Sequence, residues 1–246
     1  MTAVTAETAP APAGREVIYR HSLAVRVTHW INVLVISLLL MSGLNIFNAH
    51  PRLYWGQFGA DHDHAWLWLR QGFPNWATLP GHHDLATARR WHFFLAWLFV
   101  INGAVYYLIG LVNGHLRRDI APTGQDLRPS NLWRSIVDHV RLKHPVGDEA
   151  RRYNILQKLA YLAVIVALLP LMVLTGLTMS PGVDAAIPWL TSLFGGRQSA
   201  RAIHFITANL IVLFVIVHIV EVFLAGVWNE TRSMITGRYV IRTEGH

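Results

Sequence analysis

Four apolar blocks, each about as long as a bilayer is thick, limit this chain more than any other feature. They read VTHWINVLVISLLLMSGLNIF (27–47), HFFLAWLFVINGAVYYLIGLV (92–112), ILQKLAYLAVIVALLPLMVLTGLTM (155–179) and AIHFITANLIVLFVIVHIVEVFLAG (202–226). A bilayer's hydrocarbon core takes about 20 helical residues to cross. Inside it, each backbone N–H and C=O must find a partner within the segment, which a helix provides. The blocks therefore predict an all-α integral membrane protein, a bundle of four transmembrane helices. Composition agrees: 53% of residues are hydrophobic and only 14% charged, against about a quarter charged in soluble domains. Pro170 lacks a backbone donor and is expected to kink the third span. No internal repeat is evident.

The net charge of +7 belongs to loops rather than to a nucleic-acid surface. If the N-terminus is inside, the inner segments hold 15 of the 21 Lys and Arg residues, and the outer loops hold Arg52, Arg70, Arg89, Arg90, Arg197 and Arg201. Cytoplasmic loops carry the excess of Lys and Arg, so both termini are predicted to be cytoplasmic, in a bacterial inner membrane. Residues 1–20 are Ala/Pro/Thr-rich and lack the apolar core of a secretory signal. They read as a flexible tail, as does 238–246, on either side of one domain over 21–237. The outer loop, 48–91, contains LYWG, AWLWL and PNWATLPGHH. Its Trp content suits an interfacial lid or a docking surface. The cytoplasmic loop covers 113–154.

Cysteine is absent and histidine occurs 14 times. That removes disulfides, thiolate metal sites and CxxCH haem attachment, and leaves imidazole as the plentiful strong ligand for a transition metal or haem iron. Four histidines lie at membrane depth. His29 is near the inner end of the first span, His92 opens the second at the outer face, and His204 and His218 share the fourth. Fourteen helical residues rise about 21 Å and end about 40° short of whole turns, so His204 and His218 lie on one face at different depths. His92 matches His204 in depth, and His29 matches His218. Two pairs follow, each joining the fourth span to a different helix.

Haem iron is bound by an axial ligand on each side, and its apolar macrocycle fits between spans. Propionates would lie at the interfaces, where Arg26 precedes His29, Arg89 and Arg90 precede His92, and Arg201 precedes His204. Guanidinium pairs well with carboxylate, although interfacial arginine also arises simply from snorkelling. Gly43, Gly103 and Gly176 permit close approach of a helix or macrocycle. His50, His62, His64, His82 and His83 crowd the outer loop without a complete metal-ligand set. His21 and His115 read as interfacial, and His139 and His144 as surface residues.

These residues resemble one family. RVTHW and SGL in the first span, RRWHF at the second, YNILQKLAY with PLMVLTGLTMSP in the third, GGRQSARAIHF with a second histidine 14 residues on, and WNETRSMITG are similar to the bacterial cytochrome b561 family. That family includes the cytochrome b subunits of nickel–iron hydrogenase and of thiosulfate reductase, and the motifs stand nearest the thiosulfate reductase type. The resemblance runs from about Tyr19 to Gly237. It implies two b-type haems, with axial pairs His29/His218 and His92/His204, the same pairs that depth gives. It also implies membrane quinone as exchangeable substrate and a redox partner, a periplasmic molybdopterin oxidoreductase or a hydrogenase-type subunit.

The expected function is thus electron transfer between the quinone pool and an extracytoplasmic oxidoreductase. Glu221, three residues beyond His218, is a candidate proton relay. One rival is a stand-alone superoxide:quinone oxidoreductase, which a basic outer face would favour. Another is a haem-free, histidine-based metal-ion transporter, which would show broken helices near the midplane and pseudo-repeats.

Overall fold

A computed structural model describes residues 15–60, 62–114, 116–141 and 154–242. Expectations for residues 1–14, His115 and His144 lie outside the described residues. Strand β1 (Arg15–Tyr19) leads into α1 (Leu23–Asn48), whose N-cap Ser22 accepts from the Val25 N–H. Strands β2 (Arg52–Leu53) and β3 (Leu67–Trp68) pair in the following loop. Helix α2 (Leu85–Val112) starts at Asp84, whose carboxylate accepts from the Thr87 N–H at 3.0 Å. Helix α3 (Pro129–Val140) precedes α4 (Ile155–Leu162), which opens on a capping box between Asn154 and Gln157. After α5 (Leu169–Thr178) come the short α6 (Pro181–Ala186) and α7 (Pro188–Leu193). Helix α8 (Arg197–Thr236) and strand β4 (Arg238–Arg242) complete the order.

Four helical segments are long and apolar enough to cross a membrane: Leu23–Asn48, Leu85–Val112, Ile155–Thr178 and Arg197–Thr236. Much of their apolar surface faces outward, as Leu213, Ile216, Val220 and Phe223 do on α8. Lipid is the natural solvent for such a surface. The third span departs from regular α-helix next to Pro170, where the sequence predicts a kink. A π-helical turn occupies Ala163–Leu168, directly before Pro170. The Tyr107 hydroxyl, from α2, donates to the Ile165 carbonyl inside that turn. Inserted turns of this kind re-aim a helix and need outside partners for the displaced carbonyls.

The bundle divides into two pairs. Helix α1 packs along α2, and α5 packs on α8, whereas α1 barely touches α8. The core between α1 and α2 centres on Val35, Leu95 and Phe99, with Leu169 and Val173 of α5 packed against it. Asn102 of α2 is buried and donates to the Thr28 carbonyl at 2.9 Å and to Asn32 Oδ1 at 2.8 Å on α1. Such bonds hold firmly in a low-dielectric interior.

Two faces can be told apart. On the terminal face, β1 and β4 pair antiparallel, Arg15 opposite Arg242 and Tyr19 opposite Arg238. The residues next to the transmembrane domain on both sides, expected as tails, are therefore strands over Arg15–Tyr19 and Arg238–Arg242. Alternating β-branched and aromatic residues, EVIY against YVI, suit a short ribbon. Helix α8 breaks at Gly226, with φ 108° and ψ 85°, a conformation that favours glycine. Its last turns then lie against the start of α1. Trp30 Nε1 donates to the Met234 carbonyl at 3.0 Å, and Arg26 donates to the Ile235 carbonyl. Asn229 brackets Val240 through both its amide groups.

The opposite, loop face carries residues 49–84. Asn45 and Asn48 at the end of α1 hold this loop through Pro80, His82 and Phe73. The Trp68 ring lies within 4.2 Å of the Arg52 guanidinium and 4.4 Å of the Arg70 guanidinium. The loop then docks on the start of α8, where Gly56 N–H donates to Ser199 Oγ at 2.7 Å. A Cβ on Gly196 would lie 2.7 Å from the Gly56 and Gln57 backbone, so only glycine permits this approach.

Candidate haem sites

The two histidine pairs that depth predicts come together. On the terminal face, His29 of α1 and His218 of α8 have ring centroids 6.3 Å apart at 72°. On the loop face, His92 of α2 and His204 of α8 have centroids 6.3 Å apart at 64°. Both pairs cross the seam between the two halves of the bundle. A direct N–H···N bond would draw the ring centres to about 5.2 Å. Two imidazoles on opposite sides of one transition metal, each at a nitrogen–metal distance of about 2.0–2.1 Å, have centres about 6.2–6.4 Å apart. The observed spacing fits a shared metal and excludes a hydrogen-bonded pair.

The protonation of the loop-face pair can be assigned. Ser42 Oγ lies 2.9 Å from the Leu38 carbonyl and 3.0 Å from the Leu39 carbonyl, so its single hydrogen is directed to its own helix. Toward His92 Nδ1, at 3.0 Å, it can only accept. Thr175 Oγ1 is likewise 2.7 Å from the Leu171 carbonyl and 3.2 Å from that of Met172, and it meets His204 Nδ1 at 3.1 Å. With the hydroxyl hydrogens directed to their own helices, Nδ1 carries the hydrogen in each ring and Nε2 keeps the lone pair a metal needs.

The residue after each hydroxyl is a glycine against the same ring. A Cβ on Gly43 would lie 3.4 Å from His92 Cε1, and a Cβ on Gly176 would lie 3.4 Å from His204 Cε1. The two half-sites thus share one plan: Ser42-Gly43-Leu44 of α1 seats the histidine of α2, and Thr175-Gly176-Leu177 of α5 seats the histidine of α8. Sequence reasoning noted SGL and TGL but missed Ser42 and Thr175 as partners. The readable signal was a hydroxyl–Gly–Leu triplet in the span preceding each of these histidines. Nothing lies within 4 Å of a Cβ on Gly103, so it makes no comparable contact.

The terminal-face pair is built differently. Phe214, one turn before His218, stacks on it at 6.0 Å and 9°. Trp30 meets His29 edge-on at 5.4 Å. Among the described residues, no ring nitrogen of His29 or His218 has a hydrogen-bond partner. Glu221 lies half-buried one turn beyond His218.

The four predicted arginines take different places. Arg26 lies one turn from His29, and its Nε is buried without a hydrogen-bond partner among the described residues. A carboxylate would satisfy it. Arg89 and Arg90 are exposed. Arg89 lies 5.8 Å from the Phe93 ring centre, and Arg90 Nε reaches the Ala86 carbonyl at 3.5 Å. Arg201 donates to the Arg52 carbonyl at 2.9 Å and to the His50 carbonyl at 2.5 Å. Its first task is to tie the loop to α8, because buried carbonyls need donors.

Among the described residues, no group of three or more His, Cys, Asp or Glu side chains is placed to hold a metal ion. The donor set here is paired imidazoles in an apolar seam, which suits haem rather than a hydrated cation. Comparison with known proteins agrees. The chain is 32% identical over 211 residues to the putative protein-methionine-sulfoxide reductase subunit YedZ1 of Azospira oryzae, covering 85% of this chain and 92% of that protein. Residues 20–237 match the family model described as prokaryotic cytochrome b561. With four membrane-spanning helices and that match over most of its length, the chain belongs to the prokaryotic cytochrome b561 family, whose members carry electrons in the membrane on b-type haem.

Proposed function

We propose that this chain is a di-haem subunit that passes electrons between membrane quinone and an extracytoplasmic oxidoreductase. The observation that carries this reading is the pair of 6.3 Å imidazole spacings sharing α8. His29 and His218 hold one b-type haem, and His92 and His204 hold the other. When bound, each haem supplies a one-electron couple. The chain's own residues do the rest. Nδ1–H bonds fix two of the rings, and Arg26 offers a buried donor to a carboxylate at the terminal face. The excess of Lys and Arg on its side supports a cytoplasmic terminal face.

The loop face then meets the partner. The relative from Azospira oryzae bears the name putative protein-methionine-sulfoxide reductase subunit. By that likeness the partner is a reductase, by the resemblance to the thiosulfate reductase type it is of the molybdopterin class, and electrons run outward from quinol. The stacked Trp55 and Trp66, and Trp189 beyond α6, lie exposed on this side for docking. The test has two arms on the purified protein. Pyridine haemochrome analysis should find two b haems per chain, and a short-chain quinol should reduce them. One haem or none per chain contradicts the di-haem reading, and failure of any quinol to reduce them contradicts the quinone link.

A further inference from the structure

The two hydroxyls behind the loop-face histidines are placed to do more than pack. Ser42 and Thr175 are both fully buried at 0% exposure, where no bulk water can replace them. Each meets an imidazole Nδ1, Ser42 that of His92 at 3.0 Å and Thr175 that of His204 at 3.1 Å, while its own hydrogen has backbone carbonyls of its own helix to point to. One buried hydroxyl thus backs Nδ1 in each of the two half-sites. The adjoining glycines let the ring approach closely enough for this. The terminal-face pair shares none of these contacts among the described residues, although it has the same ring spacing.

An acceptor on Nδ1–H makes the opposite nitrogen a stronger electron donor to its metal. A stronger donor favours the oxidised metal, and second-shell hydrogen bonding is one of the levers by which proteins set haem potentials. We propose that Ser42 and Thr175 are positioning residues that lower the potential of the loop-face haem and leave the terminal-face haem untouched. This rests on the haem reading above. The same hydrogen bonds lock both rings in the Nε2-coordinating tautomer.

The test is a spectroscopic redox titration of the purified holoprotein, with the loop-face haem identified as the one missing in His92→Ala. Thr175→Val keeps the side-chain volume and removes the acceptor. The ferric-to-ferrous ratio of the loop-face haem at a fixed ambient potential should fall about fivefold, the order of one hydrogen bond's net contribution. That corresponds to a midpoint raised by about 40 mV at 59 mV per tenfold for one electron. Ser42→Ala should shift the same haem in the same direction, and Thr175→Ser should restore the wild-type value. Unmoved midpoints in both hydroxyl-removing variants, or equal shifts of both haems, would overturn the proposal. If Ser42→Ala fails to hold the haem, the isosteric Thr175→Val decides by the same criterion. A wild-type protein without haem, or a His92→Ala variant with both haems, defeats the parent reading instead, and is seen before either hydroxyl is tested.

Discussion

The two faces present the same pair of imidazoles at the same spacing and support them by opposite means. At the loop face, hydrogen bonds and a glycine hold each ring, and the two half-sites repeat one plan. At the terminal face, aromatic rings and one arginine surround the pair: Phe214 stacked on His218, Trp30 beside His29, and Tyr161 edge-on to Phe214 at 6.4 Å. Stacking leaves the ring nitrogens free to rotate within a soft potential, whereas an Nδ1–H bond fixes both tautomer and rotation. The comparison teaches that ligand spacing and ligand tuning are separate features of the fold. One face holds its rings through hydroxyl contacts, and the other surrounds them with aromatic side chains.

The largest effect should come from the ligands. His29→Ala and His218→Ala should each abolish the terminal-face haem and leave the loop-face haem, as read by haem content and by the reduced α band. Retention of both haems in either variant would break the comparison at its base. Next comes Arg26, whose buried Nε makes it specific to one face. Arg26→Leu should weaken terminal-face haem retention by about 10–100-fold, the usual cost of losing an outer-shell partner. Competition for haem with an apoprotein acceptor measures it, and equal weakening at both faces would contradict the assignment.

Loop attachment gives a smaller contrast. Arg201 ties the loop face to two carbonyls, so Arg201→Ala should cost about 2–3 kcal/mol, the range for a hydrogen bond to a charged donor. Faster proteolysis within 49–84 would report it, while the terminal face stays protected. The terminal face includes a buried-side ion pair, Lys158 of α4 with Asp126 at 2.9 Å. The Thr123 backbone N–H, with Lys158 adding to it, holds the Asp126 carboxyl below the usual carboxylate range. Its stabilisation is therefore complete above the ordinary carboxylate pKa and disappears as pH falls through the depressed folded value. Acid should loosen the 113–141 segment through this pair, and Asp126→Asn should remove that part of the pH dependence. Identical acid sensitivity in Asp126→Asn would show that the pair does not hold the segment.

Much of this architecture could be read directly from residues. Hydropathy marked four spans because a bilayer demands long apolar helices, and the 14-residue step from His204 to His218 is regular enough to assign face and depth. What escaped depends on contacts between distant parts of the chain. The ribbon of Arg15–Tyr19 with Arg238–Arg242 joins the two sides of the domain, and no local pattern announces its partner. Ser42 and Thr175 look like ordinary small residues of a membrane helix until the neighbouring histidine is placed beside them. Arg201 read as a carboxylate partner from its position before His204. The carbonyls of His50 and Arg52 that claim it come from a loop some 150 residues earlier in the chain. The break of α8 at Gly226 was hidden because glycine is common inside membrane helices.

The central claim is that α8 serves as the common wall of two separate haem sites, each completed by a different helix. The most direct measurement is the low-temperature reduced-minus-oxidised spectrum of His92→Ala beside that of His204→Ala. The account predicts that both variants lack the same single α band and retain the other. If the two variants lose different bands, or if either loses none, the pairing across the seam is wrong.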